Sequence, residues 1–155
     1  MVNNKKIKIS YLGFTEIIHF FAALILFLVF SRFFGISTGL LALLGAFLID
    51  GDHMFDYIVC ILKTKEPFSF KRFFEANYFD ETGKIFVPLH SWELAVALLA
   101  LYFVSSSAVF LVLGTSIFVH LIVDQFTNHV NLLAYFLVWR ILNKFSARAV
   151  CGKHR

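Results

Sequence analysis

Residues 36–62 read ISTGLLALLGAFLIDGDHMFDYIVCIL. The stretch is longer than the ~20 residues a helix needs to cross a hydrocarbon core of ~30 Å. Its first half carries no charge, and its later part carries Asp50, Asp52, His53 and Asp56. Acids at membrane depth cost roughly 2.5–3.5 kcal/mol each on insertion scales and persist when they pair, face a cavity or bind a metal. A membrane-length segment ending in a block of acids and histidine therefore sets two expectations, a membrane fold and a polar site inside it.

Three further apolar segments flank it, at about 14–34, 90–104 and 108–126. Gly35 to Thr38 and Ser105-Ser106-Ser107 separate neighbouring segments and suit tight hairpins. In lipid every backbone group must pair within its own segment, so the segments read as helices. The expected fold is all-α: one integral membrane domain over 1–155 with four transmembrane helices and a loop at 63–89. A short interfacial or packed C-terminal helix within 131–142 completes it, since that stretch is too short to span.

Composition agrees. Residues of the hydrophobic set make up 59% of the 155 and charged residues 15%, against roughly 45–50% and 25% in soluble domains. A soluble chain of this length could not hide that much apolar surface. With only 2 Pro and 8 Gly, disordered and collagen-like classes are excluded. Cys60 and Cys151 lie far apart, outside any metal or redox spacing, and read as free thiols. The first segment has basic residues before it, as a signal peptide would. However, no small-x-small site precedes Ser31-Arg32, and Glu16 and His19 lie inside it, so it is expected to be retained.

The net charge of +4 is placed for a membrane, and no nucleic-acid partner is expected. Of the 14 Lys and Arg, only Arg32 falls in the first hairpin, and the serine hairpin has none. The amino terminus has Lys5, Lys6 and Lys8; the long loop has Lys63, Lys65, Lys71, Arg72 and Lys84; the tail has Arg140, Lys144, Arg148, Lys153 and Arg155. The positive-inside rule then puts both termini and the loop in the cytoplasm of an inner membrane. In the loop, Phe70, Phe73 and Phe74 share one side of a helix. The loop reads as a segment packed on the membrane surface, with a lid over a site as the other reading.

The polar residues inside the apolar zone carry the chemistry. Six of the ten acids (Glu16, Asp50, Asp52, Asp56, Glu93, Asp124) and four of the six histidines (His19, His53, His90, His120) lie in or at the edge of the membrane segments. In a four-span topology every helix delivers His or Asp to one layer near the cytoplasmic face. His120 and Asp124 are four apart, and Asp50 and His53 three apart, so each pair shares a helical face. Asp50 and Asp52 point to opposite sides of an ideal helix. Either Gly51 permits a local break, or one acid ligates while the other orients a neighbouring His. Imidazole plus carboxylate suits zinc, with manganese and magnesium as harder alternatives. The candidate metal residues are His19, Asp50, Asp52, His53, His90, His120 and Asp124, with Asp50 and Asp52 the candidate catalytic carboxylates. Glu16 and Glu93 read as first-turn acids favoured by the helix dipole, Asp56 as snorkelling at a helix end, and His129 and His154 as solvated.

These residues resemble the YdjM-like membrane-bound metal-dependent hydrolases. That pattern has an early His, here His19; an Asp-x-Asp-His block, here Asp50-Gly51-Asp52-His53; a His-Ser pair, here His90-Ser91; and a His-x-x-x-Asp, here His120 to Asp124. The likeness covers roughly 14–127. Leu48-Ile49 stands where a Pro often precedes the block, and Phe86-Val87-Pro88-Leu89 where an earlier His and Arg often stand. The family is distantly similar to zinc-dependent phospholipase C and its nuclease relatives. The resemblance implies phosphoester hydrolysis, for which a metal-bound water is the expected nucleophile; because the site opens where headgroups of the membrane lipids lie, a lipid-borne or surface-borne substrate is expected. The alternative is a metal or proton carrier using the same cluster, although the outer half of the helices offers only Ser, Thr and Arg32 as polar groups.

Overall fold

A computed structural model describes residues 4–76, 78–128 and 130–151, with side-chain surroundings from Thr15 onward; His129 and His154 lie outside the described residues. All regular structure in them is helical, apart from a single antiparallel bridge between Lys84 and Ser146. The helices are α1 (Asn4–Phe34), α2 (Ile36–Leu48), α3 (His53–Thr64), α4 (Phe70–Glu75), α5 (Tyr78–Thr82), α6 (Trp92–Ser105), α7 (Ala108–Thr127), α8 (Leu137–Leu142) and α9 (Ala147–Cys151). A tighter 3-10 turn, Ile49–Asp52, joins α2 to α3.

Two hairpins form the bundle. In the first, α1 packs along α2; in the second, α6 packs along α7, and α7 also touches α1 and α2. Gly35 turns the first hairpin at φ 90°, a conformation that side chains with a Cβ rarely adopt. One turn later the two helices nearly touch. A Cβ on Gly39 would lie 1.9 Å from Ser31 Oγ and 2.6 Å from the Phe27 carbonyl oxygen. The second hairpin turns at Ser106, φ 55°, with the Ser105 hydroxyl donating to the Leu101 carbonyl at 2.7 Å.

Among the described residues, three segments are long and apolar enough to cross a membrane: Thr15–Phe34, Ile36–Thr64 and Ala108–Thr127. Four were expected. The fourth, α6, has 14 residues, about 21 Å at ~1.5 Å per residue. It starts at Trp92 rather than His90 because the preceding residues are held otherwise. Pro88 disfavours helix before it, and the Asp52 carboxylate accepts the backbone N–H groups of Leu89 and His90. Ser91 then caps the helix, accepting from the Leu94 N–H at 3.3 Å. The outward faces are apolar, as a membrane setting would require. Ile17, Phe20, Phe21, Ile25, Leu28 and Phe33 are all exposed along α1, more apolar surface than water tolerates on one helix.

Leu26, Phe30, Ala42 and Val112 fill the bundle between the helices. At its amino-terminal end sits a cap with a core of its own, built by Tyr57, Cys60, Tyr78, Phe79, Ile85, Val87, Ala134, Ala147 and Val150. The expected loop 63–89 thus contains two short helices and part of a packed core. Phe70 and Phe74 of its aromatic run face outward, while Phe73 packs inward. The single expected C-terminal helix is two, α8 and α9. Neither Cys60 nor Cys151 is in a disulfide among the described residues.

Candidate metal centre

The 3-10 turn is what lets Asp50 and Asp52 act on the same neighbourhood. Asp50 Oδ1 lies 3.4 Å from both His90 Nε2 and His120 Nε2, and 3.8 Å from His53 Nε2. Asp124 reaches the same nitrogens from α7: its Oδ2 is 3.4 Å from His90 Nε2 and 3.6 Å from His120 Nε2. Its Oδ1 lies 3.2 Å from His19 Nε2 on α1. The structure thus brings all seven candidate side chains into one cluster, drawn from α1, the turn, α3, the segment before α6, and α7.

The spacing is informative. With metal–ligand bonds of roughly 2.0–2.1 Å, two ligands of a tetrahedral ion stand about 3.3–3.4 Å apart. The nitrogen–oxygen separations around Asp50 and Asp124 cluster at that value. Most exceed the ~2.7–3.2 Å of a formed N–H···O hydrogen bond. Consistently, His19 Nε2 and His120 Nε2 are buried without a hydrogen bond, an expensive arrangement for a ring nitrogen unless it has another partner. Among the described residues three sets could hold an ion: His19, His120 and Asp124; Asp50, His90 and His120; and Asp52, His53 and His90. Nitrogen and carboxylate donors of this kind fit a borderline divalent ion such as zinc.

The rings are oriented from behind. His19 Nδ1 faces the Thr15 carbonyl at 2.9 Å. A carbonyl only accepts, so Nδ1 carries a proton and Nε2 is the ring nitrogen that faces the cluster. His90 Nδ1 is held by Asp52, at 3.0 Å from Oδ1 and 3.1 Å from Oδ2. Asp52 Oδ2 also accepts the Leu89 N–H at 2.7 Å. Of the two alternatives raised for this pair, the structure shows the local break: the helix tightens into the 3-10 turn, which sets Asp50 against His90 and His120 and puts Asp52 against His90 Nδ1. His53 stands further out, its Nδ1 3.5 Å from the Tyr78 hydroxyl and its ring edge-on to Phe79 and His90. The cluster opens on this side. The side chains of Asp50 and His53 are 43% and 32% exposed, those of His90 and His120 3% and 2%.

Several supporting residues escaped the sequence reading. Asp56 is buried rather than snorkelling, and accepts the N–H groups of Phe86 and Val87, each at 2.9 Å. Arg140, counted among the tail charges, is 1% exposed. Its guanidinium donates to the carbonyls of Phe86, Val87 (2.8 Å) and His90 (2.7 Å). Burial lowers its pKa, and nearby Asp52, Glu93 and Asp56 oppose that shift. Asn128, one turn after Asp124, donates to Asp124 Oδ1 at 2.9 Å, and its amide also lies 3.1 Å from the Tyr135 hydroxyl; the four-residue spacing could have flagged it. Glu93 lies in the first turn of α6 as expected, and there accepts the Leu137 and Val138 N–H groups, which docks α8. Glu16 is exposed and lies well inside α1, which begins at Asn4, so it is not the first-turn acid expected.

Comparison with family models, with curated proteins and with solved structures gives no match. The features at hand define a class, a helical protein with membrane-length helices and a buried His/Asp cluster able to hold a metal ion.

Proposed function

We propose that the chain is a membrane-embedded, metal-dependent hydrolase of the YdjM-like kind, acting on a phosphoester or related polar bond. The observation that carries this reading is the spacing of buried ring nitrogens and carboxylate oxygens at the separation of ligands around one ion. Zinc suits the donor set best. When bound, such an ion polarises the scissile group and makes water acidic enough to attack near neutral pH.

The chain's own residues do the rest. Asp52 and the Thr15 carbonyl keep the Nδ1 protons of His90 and His19 in place, so that each Nε2 stays a donor of electrons. Asp50, at the open edge, is the carboxylate placed to take a proton from the attacking water.

Depth suggests the substrate. From His19 to Phe34, α1 rises about 22 Å at ~1.5 Å per residue. In a hydrocarbon core of ~30 Å the cluster then lies just beneath one face, where lipid headgroups sit. A lipid-borne substrate is the natural occupant. The distribution of Lys and Arg makes that face cytoplasmic, with both termini inside an inner membrane, α6 as a short fourth span and the 131–142 stretch at the interface. The exposed Leu132, Leu133, Phe136, Val138, Ile141 and Leu142 support that last placement. A carrier would need a polar path onward from the cluster, and the packing beyond it is Leu26, Phe30, Ala42 and Val112.

The test is turnover of a chromogenic phosphodiester by full-length protein in detergent or vesicles. Hydrolysis that chelator abolishes and zinc or manganese restores is the expected result. Metal-loaded protein that hydrolyses neither soluble nor lipid phosphodiesters would overturn the enzymatic reading.

A further inference from the structure

The segment between α5 and α6 is bound on both of its hydrogen-bonding sides. Its N–H groups go to acids: Phe86 and Val87 to Asp56, Leu89 and His90 to Asp52. Its carbonyls go to one cation, since Arg140 takes those of Phe86, Val87 and His90. The backbone there is strained. Val87 is β-branched, precedes a proline and has φ 32°, a region such residues avoid. Strain of this kind costs on the order of 1–3 kcal/mol and persists only where the surroundings enforce it. The side chain presented by this held backbone is His90, whose Nε2 lies 3.4 Å from both Asp50 Oδ1 and Asp124 Oδ2.

We propose that Arg140 is a positioning residue of the metal centre: by clamping the Phe86, Val87 and His90 carbonyls it fixes the backbone that aims His90 Nε2 at the cluster. The inference rests on the reading of the cluster as a metal site and adds to it a residue 16 positions beyond Asp124. Only a planar guanidinium can reach three carbonyls at once; a lysine ammonium is a point charge on a flexible stem. The geometry also separates Arg140 from bulk packing. Among the described residues its guanidinium hydrogen bonds all go to the backbone of the His90 segment, so the route proposed from Arg140 to the metal runs through His90.

The experiment uses full-length protein with Arg140→Met, Arg140→Lys, His90→Ala and the Arg140→Met/His90→Ala pair. Zinc affinity is read by competition with a chromogenic chelator, and the ligand field by the visible spectrum of the cobalt(II)-loaded protein. Arg140→Met should weaken zinc binding 10–100-fold, the usual effect of losing a group that orients a ligand. Its cobalt spectrum should shift toward that of His90→Ala. In the double variant the two losses should not add, because they share one route. A general loss of stability would lower the melting temperature of the metal-free protein but leave the cobalt spectrum alone. Wild-type zinc affinity and an unchanged cobalt spectrum in Arg140→Met would overturn the proposal, as would additive losses in the double variant. Where Arg140→Met does not fold, Arg140→Lys decides: a weaker zinc site supports the clamp, and wild-type affinity overturns it. Wild-type protein that binds neither zinc nor cobalt would instead end the metal reading itself, before any variant is compared.

Discussion

Asp52→Asn keeps the size of the side chain and removes its charge. In the native protein the carboxylate receives the Leu89 N–H at 2.7 Å, the His90 N–H at 3.3 Å and the His90 ring Nδ1 at 3.0–3.1 Å. An asparagine has one carbonyl oxygen to accept with, and its amide nitrogen only donates. If the oxygen stays on the backbone N–H groups, the amide faces Nδ1. Nδ1 then becomes the acceptor, the ring proton moves to Nε2, and His90 loses the lone pair it offers the cluster. The alternative geometry takes the acceptor from the Leu89 N–H, while the His90 N–H keeps the Val87 carbonyl at 3.1 Å, at a cost of roughly 1 kcal/mol. Either way, metal affinity and hydrolytic rate should fall about 10–100-fold, or about 1.4–2.7 kcal/mol. The protein should still load metal at saturating zinc. The assay is a zinc competition titration beside steady-state turnover of a phosphodiester. Unchanged affinity and rate would refute the orienting role. Complete loss of metal at saturating zinc would make Asp52 a ligand instead.

Gly39→Val should open the first hairpin, because a Cβ there meets Ser31 Oγ and the Phe27 carbonyl well inside contact distance; thermal unfolding in detergent should show a loss of about 1–3 kcal/mol or more. Arg72 pairs with Glu81 on the cap and holds its carboxyl below the ordinary range. A depressed folded pKa gives stability that is present above the unfolded value and lost as pH falls through the folded one. Acid should therefore loosen the cap below about pH 4.3, and Glu81→Gln should remove that part of the pH dependence of melting. A periplasm-only reporter fused to the carboxyl terminus should stay silent, and a strong signal would reverse the proposed orientation.

The gathering of polar side chains was legible because each stands against apolar sequence. His120 and Asp124 share a helical face by spacing alone, and the Asp50-Gly51-Asp52-His53 run has no packing use in a lipid-facing helix. Their neighbours were not legible for a physical reason. Arg140 and Asp56 bind backbone groups 30 to 54 residues away, and no periodicity encodes a carbonyl as a partner. Arg140 among tail cations looks like any charge set by the positive-inside rule. The start of α6 was misplaced by two residues because the apolar pattern runs through Leu89, whereas Asp52 draws Leu89 and His90 out of the helix. The 3-10 turn was left open beside a second alternative, since Gly51 permits a break without requiring one. The cap core could not be read at all, because its residues come from α3, α5, the 85–87 segment and the tail.

The most direct measurement is the metal content of full-length protein purified without chelator and supplied with zinc or manganese, beside its His120→Ala variant. His120 belongs to two of the three donor sets and its Nε2 is buried without a hydrogen bond. At least about one ion per chain in the native protein is expected, with a sharp fall in the variant while both remain folded. Negligible metal in the native protein would contradict the account and leave the cluster a structural network of buried polar groups.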